Sequence, residues 1–270
     1  MKCEVVTTRG GARALLDRDS GEVMHPVVGP MIESLRLYVE PSRLAARLAL
    51  PASDALVLLD VGLGAGSNAL AARRVSEAMP SGARRLTIVS FDRSADALAL
   101  ALEHPNDFAL DGEAGIAARA LLAHGESVTA RTTCRFHRGE LPATLSREAA
   151  ATADLVYWDP FSPRANPSLW SYAAFRALRG VCRDECTLHT YSGATATRSA
   201  LLLAGFAVGL GEPIGEDKQS TCAAVDVAGL ATPLDQRWLA RLSRSSAPLP
   251  SDAPPDAMEQ IARCAQFVVR

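Results

Sequence analysis

From residue 55 onward the chain alternates short apolar runs with amphipathic segments of helical length. The runs 55–61 (ALVLLDV), 85–91 (RLTIVSF), 128–136, 154–158 (DLVYW), 186–191 and 222–227 read as strands. Between them, 67–79, 95–103, 113–123, 141–149, 169–178 and 196–204 read as helices. Strands buried on both faces are apolar throughout, and strand–helix alternation of this kind folds as right-handed βαβ units on a mostly parallel sheet. An α/β, Rossmann-like domain is therefore expected. Its ligand lies beyond the carboxyl ends of the strands, where the order of the sheet reverses.

The flanks differ from this core. Segments 3–8 and 12–16 read as two strands around Arg9-Gly10-Gly11, followed by helical stretches 28–39 and 41–48. We take residues 1–50 as a small N-terminal β/α cap and 51–244 as the core. Residues 245–270 form an exposed Pro/Ser-rich linker and a terminal helix, 257–267, that docks back. Six cysteines include no CxxC pair, and Cys182 and Cys186 have helical spacing in an apolar stretch, so buried hydrophobes are expected rather than a metal. No apolar run approaches the ~20 residues of a membrane span, and residues 1–4 lack a signal-peptide core. A soluble, cytoplasmic, metal-free protein is expected, and nothing in the sequence specifies an oligomer. The net charge of −2 argues against a non-specific grip on nucleic acid but leaves room for a small, shaped basic site.

Strand-end residues carry the chemistry. The first core strand ends in Asp60 and the turn Gly62-Leu63-Gly64-Ala65-Gly66-Ser67-Asn68. Its spacing is GxGxG rather than the GxGxxG of a dinucleotide site. A carboxylate two residues before the first glycine would repel a pyrophosphate and suits an ammonium group. The pattern resembles the class I methyltransferase signature and favours S-adenosylmethionine (SAM) over NAD, with a purely structural turn as the bland alternative. Asp92, at the next strand end, is placed to accept hydrogen bonds from ribose hydroxyls or to cap a helix. Glu140 is placed to face an adenine amine and serves equally well as a first-turn helix acid.

The most specific segment is Trp158-Asp159-Pro160-Phe161-Ser162-Pro163-Arg164-Ala165-Asn166-Pro167-Ser168-Leu169-Trp170. An apolar strand that ends in an acid and then passes through three prolines is rigid without a packing reason. Amine methylation needs an oriented nitrogen lone pair and an acceptor for the developing charge. Asp159 is the candidate for that acceptor, with Phe161 and Trp170 as walls around a ring or cation. The structural alternative makes both aromatics core and Asp159 a loop cap.

Together these motifs resemble the methyltransferase domain of the MnmC family and its stand-alone relatives. The glycine loop through Asn68, Ser90-Phe91-Asp92, the Asp159 loop to Trp170, and Thr190-Tyr191-Ser192-Gly193-Ala194 carry the likeness, over roughly residues 5–230. Gly21-Glu22-Val23-Met24-His25-Pro26, Glu33-Ser34 and Tyr38-Val39 extend it into the cap. The resemblance implies a class I fold with a mostly parallel seven-stranded sheet. It also implies methyl transfer from SAM to the aminomethyl group of 5-aminomethyl-(2-thio)uridine at the tRNA wobble position. It makes Asp159 catalytic and has Asp60, Gly62, Gly64, Gly66, Asn68, Asp92, Glu140 and Glu33 bind SAM. Phe161, Arg164, Trp170 and Lys218 would then meet the substrate. Pro160 stands where the family has glycine, so Asp159-Pro160-Phe161 resembles the Asp-Pro-Pro-aromatic loop of base-amine methyltransferases. About 40 residues follow Val227, too few for an FAD-dependent oxidase domain, so a transferase alone is expected. Methylation of a small-molecule amine and a non-catalytic SAM-binding accessory role are the alternatives.

Overall fold

A computed structural model describes residues 2–25, 29–214 and 218–268; Pro26 and Val28 of the expected cap segments lie outside them. The cap begins as an antiparallel three-stranded sheet of β1 (Cys3–Thr7), β2 (Arg13–Asp17) and β3 (Glu22–Val23). Helix α1 (Pro30–Ser34) then widens into a π-helical turn over Leu35–Val39, and α2 (Leu44–Ala49) follows. Tyr38, Leu44 and Leu48 are buried in the main core, so the cap has no hydrophobic interior of its own.

The main sheet contains β4 (Leu56–Val61), β5 (Leu86–Asp92), β6 (Glu126–Val128), β7 (Thr132–Arg138), β8 (Ala153–Trp158), β9 (Cys182–Thr190), β10 (Ala207–Pro213) and β11 (Gln219–Ala224). Their spatial order is β10-β11-β9-β8-β4-β5-β7-β6. The run from β7 through β5, β4 and β8 to β9 is parallel, whereas β6, β10 and β11 pair antiparallel. Seven strands of ordinary length thus carry a three-residue edge strand as an eighth. That extra strand arises because the expected run 128–136 folds back at residues 129–131, where Thr129 Oγ1 accepts from the backbone N–H groups of Arg131 and Thr132. The mostly parallel class I architecture expected from the sequence is observed.

Side-chain alternation along the strands separates two cores. Leu56 and Leu58 of β4 join Leu86, Ile88, Leu155 and Tyr157 on one face. There they meet α3 (Ser67–Glu77), α4 (Asp96–Glu103) and α5 (Gly112–His124). Leu59 and Val61 join Val89, Phe91, Val156 and Trp158 on the other, under α6 (Tyr172–Arg179) and α7 (Thr195–Leu203). Helix α8 (Gln236–Leu242) and α9 (Ala257–Ala262) complete that second face through Leu242 and Ile261.

Cys182 and Cys186 are buried as expected, but on β9 rather than on a helix. Residues four apart on a strand also share a face, so the spacing fits β9 as well as a helix. The Pro/Ser-rich segment is pinned rather than free. Asp252 accepts from the N–H groups of Tyr172 and Ala173 at 2.8 and 2.9 Å, capping α6, and Ser199 Oγ donates to the Pro248 carbonyl. Consecutive strands run outward from β4 in both directions, so the order reverses beside it. Asp92, the glycine turn and Asp159 all emerge at that edge.

Candidate active site

The turn after β4 is built by backbone. Gly62 has φ 92°, and a side chain there would meet the Asp159 carbonyl oxygen at 2.5 Å. Only glycine lets the two strand ends approach so closely. Its N–H donates to the Phe91 carbonyl at 2.9 Å, and the Gly64 N–H donates to Asp92 Oδ2 at 3.0 Å. Gly66 (φ 85°) leads into α3, and a side chain at that position would press on Leu98 at 3.2 Å. The N–H groups of Gly62, Leu63, Gly64 and Gly66 are thus taken up within the protein, and the turn brings the N-terminus of α3 to the space above it.

Asp159 is the point where the elements converge. Its backbone N–H is held by the Val61 carbonyl at 2.8 Å. Tyr38 Oη donates to Oδ1 at 2.6 Å and Asn68 Nδ2 donates to Oδ2 at 2.8 Å. His25 places Nε2 3.7 Å from the same Oδ2, while its Nδ1 lies 3.4 Å from Glu33 Oε2. Burial pushes the Asp159 carboxyl up from its ordinary value, against the lowering pull of His25, Tyr38 and Asn68. Burial and the neighbouring Asp159 hold the Tyr38 hydroxyl well above its ordinary value, so it remains a donor. For His25, burial favours the neutral ring, but Glu33, Asp159 and Asp60 together outweigh it and raise the imidazole.

The proline-rich loop is tied down from both sides. Glu22 accepts from the Ser162 N–H at 2.9 Å and from Ser162 Oγ, and Tyr191 Oη donates to the Pro160 carbonyl at 3.0 Å. The Trp170 indole donates to the Phe161 carbonyl at 2.7 Å and is buried.

These elements enclose a cavity of about 980 Å³. Gly62, Gly64, Asn68, Asp92, Glu140, Glu33, Asp159 and Phe161 line it, as do His25, Tyr38, Tyr191, Pro213 and Ile214. Other expected site residues stand outside the lining. Asp60 lies beneath the turn, fully buried, with Ser90 Oγ donating to Oδ2 at 2.8 Å. Its Oδ1 has no partner among the described residues, and burial pushes its carboxyl up to about 7. Gly66 serves helix packing, and Trp170 holds the loop from behind. Arg164 is exposed, 3.8 Å from Glu22, and Lys218 is exposed beside Ile214, whose N–H its carbonyl accepts.

Several cavity residues, among them His25, Glu22 and Tyr191, have no role expected from the sequence; the segment 21–26 marks the first two only as part of the resemblance. Asp159, which His25 faces, and Ser162, which Glu22 holds, lie far along the chain, whereas Glu33 is close to His25 in sequence. The volume suits a nucleoside-sized ligand with room for a second group. Asp92 presents a carboxylate at the wall, and its two oxygens are already oriented by the Gly64 and Ser94 N–H groups. Asn68 Oδ1, buried and without a partner among the described residues, is a ready acceptor. The residues present therefore fit SAM. Among the described residues no cluster of His, Cys, Asp or Glu is arranged to hold a metal.

Comparison with known proteins gives the same picture. Residues 118–226 match a family model described as S-adenosyl-L-methionine-dependent methyltransferase. The tRNA 5-methylaminomethyl-2-thiouridine biosynthesis bifunctional protein MnmC of Burkholderia vietnamiensis is 31% identical over 206 residues, covering 72% of this chain and 31% of that protein. The corresponding Ralstonia nicotianae protein is 32% identical over 174 residues, or 62% and 26%. The chain thus spans under a third of the length of these curated relatives. The crystal structure of MnmC2 from Aquifex aeolicus superposes with a TM-score of 0.74 at 25% identity, covering 96% of this chain and 84% of that one. Spermidine synthase from Thermotoga maritima, at TM-score 0.53 and 9% identity over 99% and 81%, shares the fold. In sequence similarity and fold the chain is an MnmC-like, class I S-adenosyl-L-methionine-dependent methyltransferase.

Proposed function

We propose that the protein transfers a methyl group from SAM to the aminomethyl nitrogen of 5-aminomethyl-(2-thio)uridine at the wobble position of tRNA. The observation that carries this reading is the clamp on Asp159. A largely buried carboxylate that still opens on the cavity, fixed by Tyr38 and Asn68 at the rim of the glycine turn, is an acceptor for an amine rather than a surface charge. SAM supplies an electrophilic methyl on a sulfonium. Asp92 binds its ribose hydroxyls, and the glycine turn with Asn68 holds its amino-acid end. Asp159 aims the amine and stabilises the positive charge that grows on nitrogen during transfer. Phe161 flanks the reacting end of the substrate.

The rest of the substrate meets the rim. Arg36 and Arg93 line the cavity, and Arg164 and Lys218 stand exposed beside it. This confined set of cations suits the backbone of a tRNA loop, bound transiently, on a chain whose net charge is −2. Residues 1–50 would cover the site as a cap over the 51–244 core, with 245–270 bracing α6 and α7 from behind. The reaction belongs in the cytoplasm, where tRNA matures. Among the described residues no helix is long and apolar enough to cross a membrane. The test is methyl transfer from labelled SAM to tRNA carrying 5-aminomethyl-2-thiouridine, read by nucleoside mass spectrometry. Conversion to the methylaminomethyl nucleoside supports the reading.

A further inference from the structure

An aliphatic amine carries a proton at neutral pH, because its pKa lies near 10. Its nitrogen then has no lone pair to offer, and some group must take that proton before the methyl moves. Asp159 is poorly arranged for the task. Tyr38 and Asn68 each donate a hydrogen to one of its oxygens, so protonating it would oppose an existing donor. Its geometry instead favours the charged acceptor.

His25 is arranged for it. The ring lines the cavity, and its Nε2 stands 3.7 Å from Asp159 Oδ2. Two acceptors at that separation can both reach one nitrogen within hydrogen-bond distance. Glu33, from α1, faces the opposite ring nitrogen at 3.4 Å and fixes the tautomer with Nδ1 protonated and Nε2 free to accept. The residue holds φ 53°, a left-handed conformation that an L side chain adopts rarely. Such outliers concentrate where a site requires a particular orientation.

We propose that His25, backed by Glu33, is the catalytic base that removes a proton from the substrate ammonium; this rests on the amine-methylation reading above. The N–H bond breaks, its electron pair stays on nitrogen, and the proton passes to His25 Nε2. The freed lone pair then forms the N–C bond while the S–C bond of SAM breaks with its pair going to sulfur. The product leaves as a methylated ammonium with a neutral thioether, and His25 releases the proton to solvent. The charged groups facing the ring are Glu33 from α1 and Asp159 from the loop after β8, and Asp60 of β4 acts on it from beneath the turn. Arg36 and Glu22 share the cavity.

The test is the single-turnover rate on tRNA carrying 5-aminomethyl-2-thiouridine, at saturating SAM, from pH 6.5 to 10. The wild-type rate should rise with pH and level off well below the amine's own pKa. His25→Gln should fall about 10²–10³-fold at pH 7 and regain roughly a decade per pH unit toward the amine's own pKa. Its melting shift with S-adenosylhomocysteine should be retained. Glu33 raises the imidazole, so Glu33→Gln should move the wild-type limb toward lower pH. This second variant decides the matter if His25→Gln loses its ligand-dependent melt. A His25→Gln loss that is uniform across pH, or a Glu33→Gln limb that does not move, overturns the assignment while leaving the methyltransferase reading intact. A wild type that transfers no methyl to this tRNA overturns both.

Discussion

The two halves of the cavity are built by opposite means. On one side, residues 60–68 and Asp92 belong to a single βαβ unit, and backbone does the work: a positive-φ glycine, N–H groups and the start of α3. On the other side, the cap supplies side chains from far away in sequence. Tyr38 reaches Asp159 across 121 positions, and Glu22 reaches Ser162 across 140. The first half can form as soon as its strands pair. The second exists only once the cap has docked on the finished sheet. The difference assigns labour as well: the backbone half suits the ligand common to the fold, and the side-chain half suits the group that distinguishes one substrate from another.

The largest effect should come from Gly62→Ala, a position where the backbone of the two halves touches. The new methyl would meet the Asp159 carbonyl at 2.5 Å in a backbone conformation that alanine resists. We expect a loss of about 3 kcal/mol or more in unfolding free energy, and no melting shift with S-adenosylhomocysteine. A variant that melts and binds like the wild type breaks the claim that the strand ends are in backbone contact.

Asp60 probes the backbone half alone. Burial holds its carboxyl at about 7, against about 4 in an unfolded chain. The native state therefore keeps a proton that the unfolded chain releases. The stability this group contributes is full below about pH 4 and is lost as pH rises through 7. Between pH 5 and pH 8 the wild type should lose about 2–3 kcal/mol relative to Asp60→Asn in denaturant titrations. A difference that stays flat with pH contradicts a neutral, buried Asp60.

Tyr38→Phe probes the side-chain half. Removing one donor to the carboxylate should slow methyl transfer about 10–100-fold, as for a hydrogen bond to a charged group, with S-adenosylhomocysteine affinity unchanged. Equal losses in rate and ligand affinity would mean that the two halves are not separable.

This division also explains what was legible in the sequence. The glycine turn, Asp92 and Asp159 stand at the ends of apolar strands, and parallel-sheet topology alone brings strand ends together. The two-strand start of the cap and the helices α3 to α5 followed from local pattern. Strand β10 did not: Gly209, Gly211 and Pro213 give it the composition of a loop. It is a strand because β11 pairs with it, and Gly209 is pressed against the Thr232 carbonyl. Trp170 read as a substrate wall, yet its indole found the Phe161 carbonyl and turned inward. His25 was marked only as part of the segment 21–26 that carries the resemblance and had no role there, since its meaning depends on Glu33 and Asp159 being in place, a tertiary fact with no local pattern.

The central claim is that Asp159, held between the halves, directs a methyl group onto an aminomethyl nitrogen of tRNA. The direct measurement compares wild type and Asp159→Asn in transfer of labelled methyl to tRNA carrying 5-aminomethyl-2-thiouridine, with S-adenosylhomocysteine binding followed in parallel. The account predicts conversion by the wild type and a loss of about 10²–10³-fold in the variant with ligand binding retained. A wild type that binds S-adenosylhomocysteine but leaves this tRNA unmethylated, or a variant as fast as the wild type, would contradict it.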